Sequence, residues 1–188
     1  RGLAVNENYI FQAGSYHSYM RVLNRSNLNQ VSYEYNYPKY YSSWGLNINS
    51  DGTKMVMANH SRHEVCVMDI SGTSLGNCQL VGNGRYGGRN GYFSSPTDAD
   101  FDSNGNIYVT DLQNHRIQKF NSSRQYVSKY GSRNYSGNPF YYPYGLAISS
   151  DDKIYVADWG NKIHEFATGL TYSGAIGVPQ SRMDMAKD

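Results

Sequence analysis

The sequence has little charge and no long apolar run, and each shortage argues against a class of protein. Charged residues make up 17% of the 188 positions and the formal net charge is only +2, which gives no argument for a polyanionic partner. No stretch approaches the roughly 18 apolar residues of a membrane-spanning helix, so we predict no membrane span. The chain starts at Arg1 rather than Met, so we expect a mature product or an excerpt.

Tyrosine and glycine are abundant, with 19 residues of each. Aromatic residues favour strands, and good helix formers do not occur here in continuous runs. The composition therefore favours an all-β protein, and 188 residues can form one domain with a sizeable core.

A repeated segment gives the strongest signal in the sequence. Four similar stretches recur 45, 52 and 47 residues apart. A period of this length, with two strand-like runs in each copy, indicates blades or a solenoid. The four stretches are Ile10–Leu23, Met55–Met68, Ile107–Phe120 and Ile154–Phe166.

Each copy is predicted to form a sheet of four short strands. The Asp51-Gly52 and Asn104-Gly105 pairs tolerate the positive φ of a tight hairpin turn and separate the first strand from the second. Apolar and polar residues then alternate along the third strand, and a polar turn leads to the fourth. The predicted first strands are Gly2–Val5, Gly45–Ile48, Asp98–Phe101 and Gly145–Ile148.

Such a sheet cannot bury both apolar faces alone, so successive copies must pack against one another. Radial packing gives an all-β, β-propeller fold, and a linear stack of blades is the alternative. We place the four antiparallel blades within one region, residues 1–188. Their approximate ranges are 1–40, 41–92, 93–139 and 140–178, and 179–188 is a candidate start of a further blade.

The third and fourth copies resemble the NHL repeat. Pro96-Thr97-Asp98, the IYVTD strand ending at Asp111 and the pair Asn114-His115 follow the pattern of that family. The resemblance extends over nearly the whole chain and implies a propeller, which in this family usually closes with six blades. With four blades visible, we expect part of a larger propeller or one that another chain completes.

The two cysteines, Cys66 and Cys78, lie symmetrically about Gly72. A hairpin centred on that glycine would place them opposite each other, at a separation that suits a disulfide. Two reduced thiols are the alternative. A disulfide would indicate an extracellular or secreted protein, and the sequons that follow would make it a glycoprotein. Candidate glycosylation sequons begin at Asn24, Asn59, Asn121 and Asn134, and the turn positions Asn24 and Asn121 are the better candidates.

The blades most closely resemble those of the peptide-amidating lyase domain, an NHL-type propeller that binds zinc through histidines beside the blade-opening prolines. Here the residues around Pro96 and Pro143 include no histidine. Phenol is a poor zinc ligand, so we predict no catalytic residue, no metal site and no cofactor, and keep a peptidylamidoglycolate lyase-like enzyme as an alternative. Surface histidines are the simpler interpretation of His17, His60, His63 and His115.

The glycine-rich segment 82–87 satisfies the dinucleotide pattern G-x-G-x-x-G, but another blade follows it rather than a helix. We interpret it as a link between blades. Arginines and aromatic residues of such links would lie on one propeller face, where they could bind a protein or glycan ligand, or copies of this chain. The predicted binding surface comprises Arg85, Tyr86, Arg89, Arg116, Tyr135 and Trp159.

A single-stranded RNA-binding propeller is the second alternative, because basic residues with nearby aromatic rings suit nucleic acid. The basic residues in question also include Arg62, Arg133 and Lys162. The same face carries Asp111 and Asp158, which we expect to fix loop backbone rather than to do chemistry. The sequence thus favours a non-enzymatic extracellular binding or structural assembly module.

Overall fold

The computed structural model describes residues 2–13, 19–35, 43–133 and 139–177. These residues form four antiparallel sheets in chain order, each built from sequential strands. Asn134, Tyr135 and His17 lie outside the described residues, as does the segment 179–188. The architecture confirms the predicted all-β propeller blades.

The blades follow one another along the chain, and each runs from an inner first strand to an outer last strand. The first blade comprises β1 (Leu3–Val5), β2 (Tyr9–Ala13), β3 (Tyr19–Asn24) and β4 (Gln30–Tyr35). The second comprises β5 (Ser43–Ile48), β6 (Lys54–Asn59), β7 (Glu64–Ser71), β8 (Ser74–Leu75) and β9 (Gln79–Leu80). The third comprises β10 (Pro96–Phe101), β11 (Ile107–Asp111), β12 (Arg116–Phe120) and β13 (Tyr126–Gly131), with a 3-10 turn at Leu112–Asn114. The fourth comprises β14 (Pro143–Ile148), β15 (Ile154–Asp158), β16 (Lys162–Ala167) and β17 (Thr171–Gly177).

The inner strands β1, β5, β10 and β14 lie side by side in this order. Three of them begin two residues before the predicted glycine or aspartate, because a β-bulge interrupts their pairing with the second strand. A bulge redirects the side chain that it carries. The bulged residues are Trp44, Thr97 and Tyr144.

Three apolar layers between consecutive blades form the core. Phe11 and Met20 of the first blade pack with Met55 and Met57 of the second. The other two layers have the same arrangement, including Val56 with Ile107, and Tyr108 with Ile154. Strand alternation places successive side chains on opposite sheet faces, so an internal blade buries both faces.

The outer strand of the second blade is divided, and its geometry corrects the predicted cysteine register. The β7–β8 turn at Gly72 pairs Ser71 with Ser74, but Cys66 then lies opposite Leu80 rather than Cys78. The irregular segment between β8 and β9 shifts the register. Cys66 and Cys78 nevertheless form a disulfide, with their Cα atoms 5.2 Å apart.

Candidate functional site

A buried carboxylate organises one end of the third blade. The Asp111 side chain accepts hydrogen bonds from the backbone N–H of Ser94 at 2.6 Å and from Nδ2 of Asn114 at 2.9 Å. It also pairs with Arg116 Nε at 2.8 Å, and both partners are buried. Asp111 and Arg116 face each other across the β11–β12 pair, where the intervening turn brings them together. The expectation that Asp111 fixes loop backbone is confirmed.

Arg116 extends this network into the glycine-rich link. Its guanidinium nitrogens donate to the carbonyl oxygens of Gly88 and Arg89 at 3.0 Å and of Tyr92 at 2.8 Å. These bonds satisfy the buried cation. The prediction that Arg116 belongs to an exposed binding surface is therefore wrong, because its charge is used to hold the link from inside.

The link itself projects side chains outward from this internal support. Asn114 Nδ2 donates to the Gly87 carbonyl at 2.9 Å, and Gln118 accepts from the Gly91 N–H at 3.0 Å. The link also carries exposed Arg85, Tyr86 and Arg89, and Tyr86 retains 64% of its surface. The link forms turns and bends and leads directly into β10 without a helix.

Two histidines join consecutive blades. The Ser95 N–H donates to Nδ1 of His63 at 2.8 Å, and the Tyr142 N–H donates to Nδ1 of His115 at 3.3 Å. All four residues have left-handed backbone φ values between 51° and 58°, a conformation that histidine adopts more readily than β-branched residues do. Burial lowers the pKa of both histidines, which favours the neutral, accepting imidazole.

The interpretation of His63 and His115 as plain surface residues is thus incomplete. His115 is buried and His63 is partly buried, and both support a blade junction. His60, by contrast, lies over the exposed Trp44 ring in a stacked geometry with centroids 4.6 Å apart. In the sequence, His63 and His115 differ from His60 in that each stands directly before the third strand of its blade.

Aromatic rings continue across the same face. Tyr86 packs on His63 at 4.7 Å between centroids, and Tyr142 packs on His115 at 4.2 Å and on Trp159 at 5.3 Å. Trp159 is 55% exposed. Because the blade links and the loops between second and third strands meet at one end of every blade, these residues share one propeller face. We call it the loop face, comprising Trp44, His60, Arg85, Tyr86, Arg89 and Trp159.

Sequence reasoning missed Trp44, although it occupies the position before the glycine of a blade opening. In the fourth blade Tyr144 holds the equivalent bulge and is also exposed. The third blade has Thr97 there, and its buried hydroxyl lies 3.0 Å from that of Thr110. The bulge position therefore has a structural role in the third blade and presents an aromatic ring in the second and fourth blades.

The fourth blade repeats the carboxylate anchor with a different partner. Asp158 accepts hydrogen bonds from the Tyr141 N–H at 3.0 Å and the Lys162 N–H at 3.1 Å. Its carboxylate also lies 3.0 Å from Nε2 of His164, and both side chains are buried. Lys162, which stands where the third blade has Arg116, is exposed. Asp158 thus fixes loop backbone as expected.

Two further carboxylates connect inner strands. Asp98 accepts from Asn47 Nδ2 at 3.3 Å and from the Leu146 N–H at 3.0 Å, so one side chain bonds to the blades on either side. Asp100 accepts from the Ile148 N–H at 3.1 Å. Burial raises the pKa of Asp98 to about 7 and that of Asp100 to about 6, against opposing hydrogen bonds.

The structure separates the candidate glycosylation sites. The Asn59 side chain is buried and its Oδ1 accepts from the Arg62 N–H at 3.2 Å, so the folded chain cannot present it and that assignment is wrong. Asn24 and Asn121 are partly exposed and lie at the turns after the third strands. Asn24 Oδ1 accepts from Ser26 Oγ at 2.7 Å, and Asn121 Nδ2 donates to Gln125 at 3.2 Å.

The described ranges hold no cluster of three or more His, Cys, Asp or Glu side chains that could bind a metal ion. Within the same part of the chain, no helix is long and apolar enough to cross a bilayer.

Comparison with known proteins agrees with this architecture. Residues 93–120, which form the body of the third blade, match the model of the NHL repeat. No curated protein matches the sequence significantly.

Solved propellers share the fold at low sequence identity. A streptogramin B lyase superimposes with a TM-score of 0.71 and 16% identity, over 95% of this chain and 54% of the lyase chain. A chain of a nidogen/laminin complex gives 0.70 and 13%, over 95% and 63% of the two chains. An auxiliary nutrient binding protein from Bacteroides ovatus gives 0.71 and 15%, over 84% and 45%. This chain spans less than two thirds of each of them; its fold is that of a β-propeller, and its third blade matches the NHL repeat over residues 93–120.

Proposed function

We propose that this chain is an extracellular, non-enzymatic module that binds a protein ligand through the loop face. The observation that carries the proposal is the exposure of Tyr86, Trp159 and Trp44 on the same face as the exposed Arg85 and Arg89. Aromatic rings and arginines dominate the energetics of protein interfaces. Because the backbone that carries these side chains is already ordered, the binding of a ligand to them loses little conformational entropy.

The charge of the loop face indicates the kind of ligand. Arg85 and Arg89 of the loop face are exposed, whereas Asp111 and Asp158 are buried and occupied by backbone and side-chain donors. A ligand with carboxylates at its surface complements this arrangement. The nidogen/laminin complex among the similar structures shows that a propeller of this type can occur in a protein complex.

The extracellular assignment is supported by the Cys66–Cys78 disulfide, since disulfides persist chiefly in oxidising compartments. The same bond argues against an intracellular RNA-binding propeller. The lyase alternative lacks support at the blade openings, where Ser95 and Tyr142 precede the prolines and donate to structural histidines.

The proposal can be tested with ligands of defined chemistry. We expect phage selection on the folded chain to enrich peptides rich in Asp and Glu, with binding reduced about tenfold or more by Tyr86→Ala, Trp159→Ala or Arg85→Glu. Lys129→Glu, an exposed charge reversal on the outer strand β13, is the matched control and should bind normally.

Two further probes separate the alternatives. Heparin binding that Arg85→Glu abolishes, with no peptide enriched, would instead indicate a glycan ligand. Binding of a mixed single-stranded RNA oligonucleotide with a steep salt dependence would indicate the RNA alternative. Either result would contradict the protein-binding proposal.

A further inference from the structure

The two ends of the described arc expose sheet faces that are buried everywhere else in the molecule. Leu3 on the inner strand of the first blade is 60% exposed, and Val5 beside it is also exposed. The repeat places Leu46, Ala99 and Leu146 at the position of Leu3, and all three are buried against the preceding blade. Leu3 is therefore a core residue of the repeat without the blade that would cover it.

The fourth blade shows the same relationship on its opposite face. Ile163 is 50% exposed and Ile176 is 77% exposed. Val65 and Ile117 occupy the position of Ile163 in the second and third blades, where the next blade buries them fully. The exposed face of the fourth blade thus corresponds to an interface that the chain makes elsewhere.

Strand register shows that each end presents a continuous face rather than single apolar residues. The pairs of β1 with β2 and of β2 with β3 align one set of side chains, and the pairs of β14 through β17 align the other. The first end face comprises Leu3, Val5, Ile10, Gln12, Arg21 and Leu23. The last end face comprises Ala147, Tyr155, Ala157, Ile163, Glu165 and Ile176.

The two faces are also complementary in charge. The charged residue of the first end face is Arg21, and that of the last end face is Glu165; both lie on third strands and are partly buried. Two copies of the same face would instead bring like charges together, which is unfavourable when they are desolvated.

We propose that copies of this chain associate head to tail, with the last end face of one copy packed on the first end face of the next. The contact continues the blade-to-blade interface that the chain already repeats three times. A head-to-tail contact gives a ring where its rotation closes and an open assembly where it does not. The loop face takes no part in it.

The test is sedimentation velocity of the wild-type chain from about 1 to about 100 µM. We expect association that rises with concentration. Leu3→Glu and Ile163→Glu should each weaken it by about tenfold or more, since each places a carboxylate in an apolar contact. Both positions are exposed, so circular dichroism should show that the variants keep the fold.

Mixing the two variants gives the decisive measurement. Each variant retains one intact end face, and the intact faces are different, so the mixture should form a one-to-one dimer that grows no further. Contact between two first end faces would instead be lost only in Leu3→Glu. Arg21→Glu should weaken association and Glu165→Arg should restore it in the double variant.

Val127→Glu alters an exposed valine of the outer strand β13 and should associate normally, as should the loop-face variant Tyr86→Ala. The second result separates this inference from the proposed function. A wild-type chain that stays monomeric up to about 100 µM, or mixed variants that fail to pair, would overturn head-to-tail association.

Discussion

The Ser95 N–H donates a hydrogen bond of 2.8 Å to Nδ1 of His63, and this bond joins the second blade to the opening of the third. The bond requires a neutral imidazole nitrogen. The His115–Tyr142 pair repeats the arrangement one blade later. Blade junctions in this propeller thus depend on imidazole groups, which lose this acceptor nitrogen when they are protonated.

We predict that these histidines make the fold sensitive to mild acid. Burial lowers their pKa below the ordinary 6.5, so the stability they contribute is present above pH 6.5 and is lost as the pH falls through the lower folded value. The double variant His63→Asn, His115→Asn keeps an acceptor and tolerates the left-handed backbone but does not titrate. Chemical denaturation between about pH 7.5 and pH 5 should show a smaller loss of unfolding free energy in the variant than in the wild type.

Asp98, whose carboxyl group lies between the inner strands, should give the opposite pH dependence of stability. Because the pKa of Asp98 is raised from 3.8 to about 7, its contribution is fully present below pH 3.8 and is lost as the pH rises through about 7. Asp98→Asn removes this titration, so the stability of the variant relative to the wild type should increase between about pH 4 and pH 8.

Asp51→Asn gives a control of opposite sign for Asp98. Hydrogen bonds from Thr53 lower the pKa of Asp51, so its contribution is present above pH 3.8 and is lost as the pH falls through the lower folded value. The relative stability of Asp51→Asn should therefore fall as the pH rises towards 3.8 and stay constant between about pH 4 and pH 8. Identical pH profiles for the two variants would contradict both assignments.

Removal of the buried cation should be far more damaging than removal of an exposed one. Arg116→Ala leaves Asp111 as an uncompensated buried charge and frees three carbonyl groups of the link. We expect a loss of about 3–5 kcal/mol of unfolding free energy. Urea denaturation measures it, and limited trypsin digestion should show faster cleavage of the link after Arg85 and Arg89.

Arg89→Ala is the matched control for Arg116, since its side chain is exposed on the same link. Its effect should lie within about 0.5 kcal/mol of the wild type. Equal losses in the two variants would show that the internal bonds of Arg116 do not stabilise the link.

The contrast between Arg116 and Arg89 also shows what the sequence could predict. Hairpin turns and repeated strands located the blades, because turn chemistry is local. Burial of Arg116 depends on its position opposite Asp111 at the end of β11 and β12. The repeat gives no signal of this burial, because the equivalent residues are Glu64 in the second blade and the exposed Lys162 in the fourth.

Other features could not be predicted because they depend on neighbouring blades. Nothing local in Asp98 indicates that Asn47 and the Leu146 backbone will surround it. The bulges that start β5 and β14 early likewise turn Trp44 and Tyr144 outward, and this depends on strand pairing rather than on the local residue pattern. The loop face was therefore only partly visible in the sequence.

The disulfide provides the last prediction. It closes a loop between residues 12 apart, for which the chain-entropy model gives a stabilisation of about 3 kcal/mol. Cys66→Ala with Cys78→Ala should lose an amount of this order, and reductant should reduce the stability of the wild type without affecting the double variant. Urea denaturation with and without dithiothreitol measures both effects. Free thiols detected by alkylation of the folded, unreduced protein would show that the bond does not form, and would remove the main support for an extracellular location.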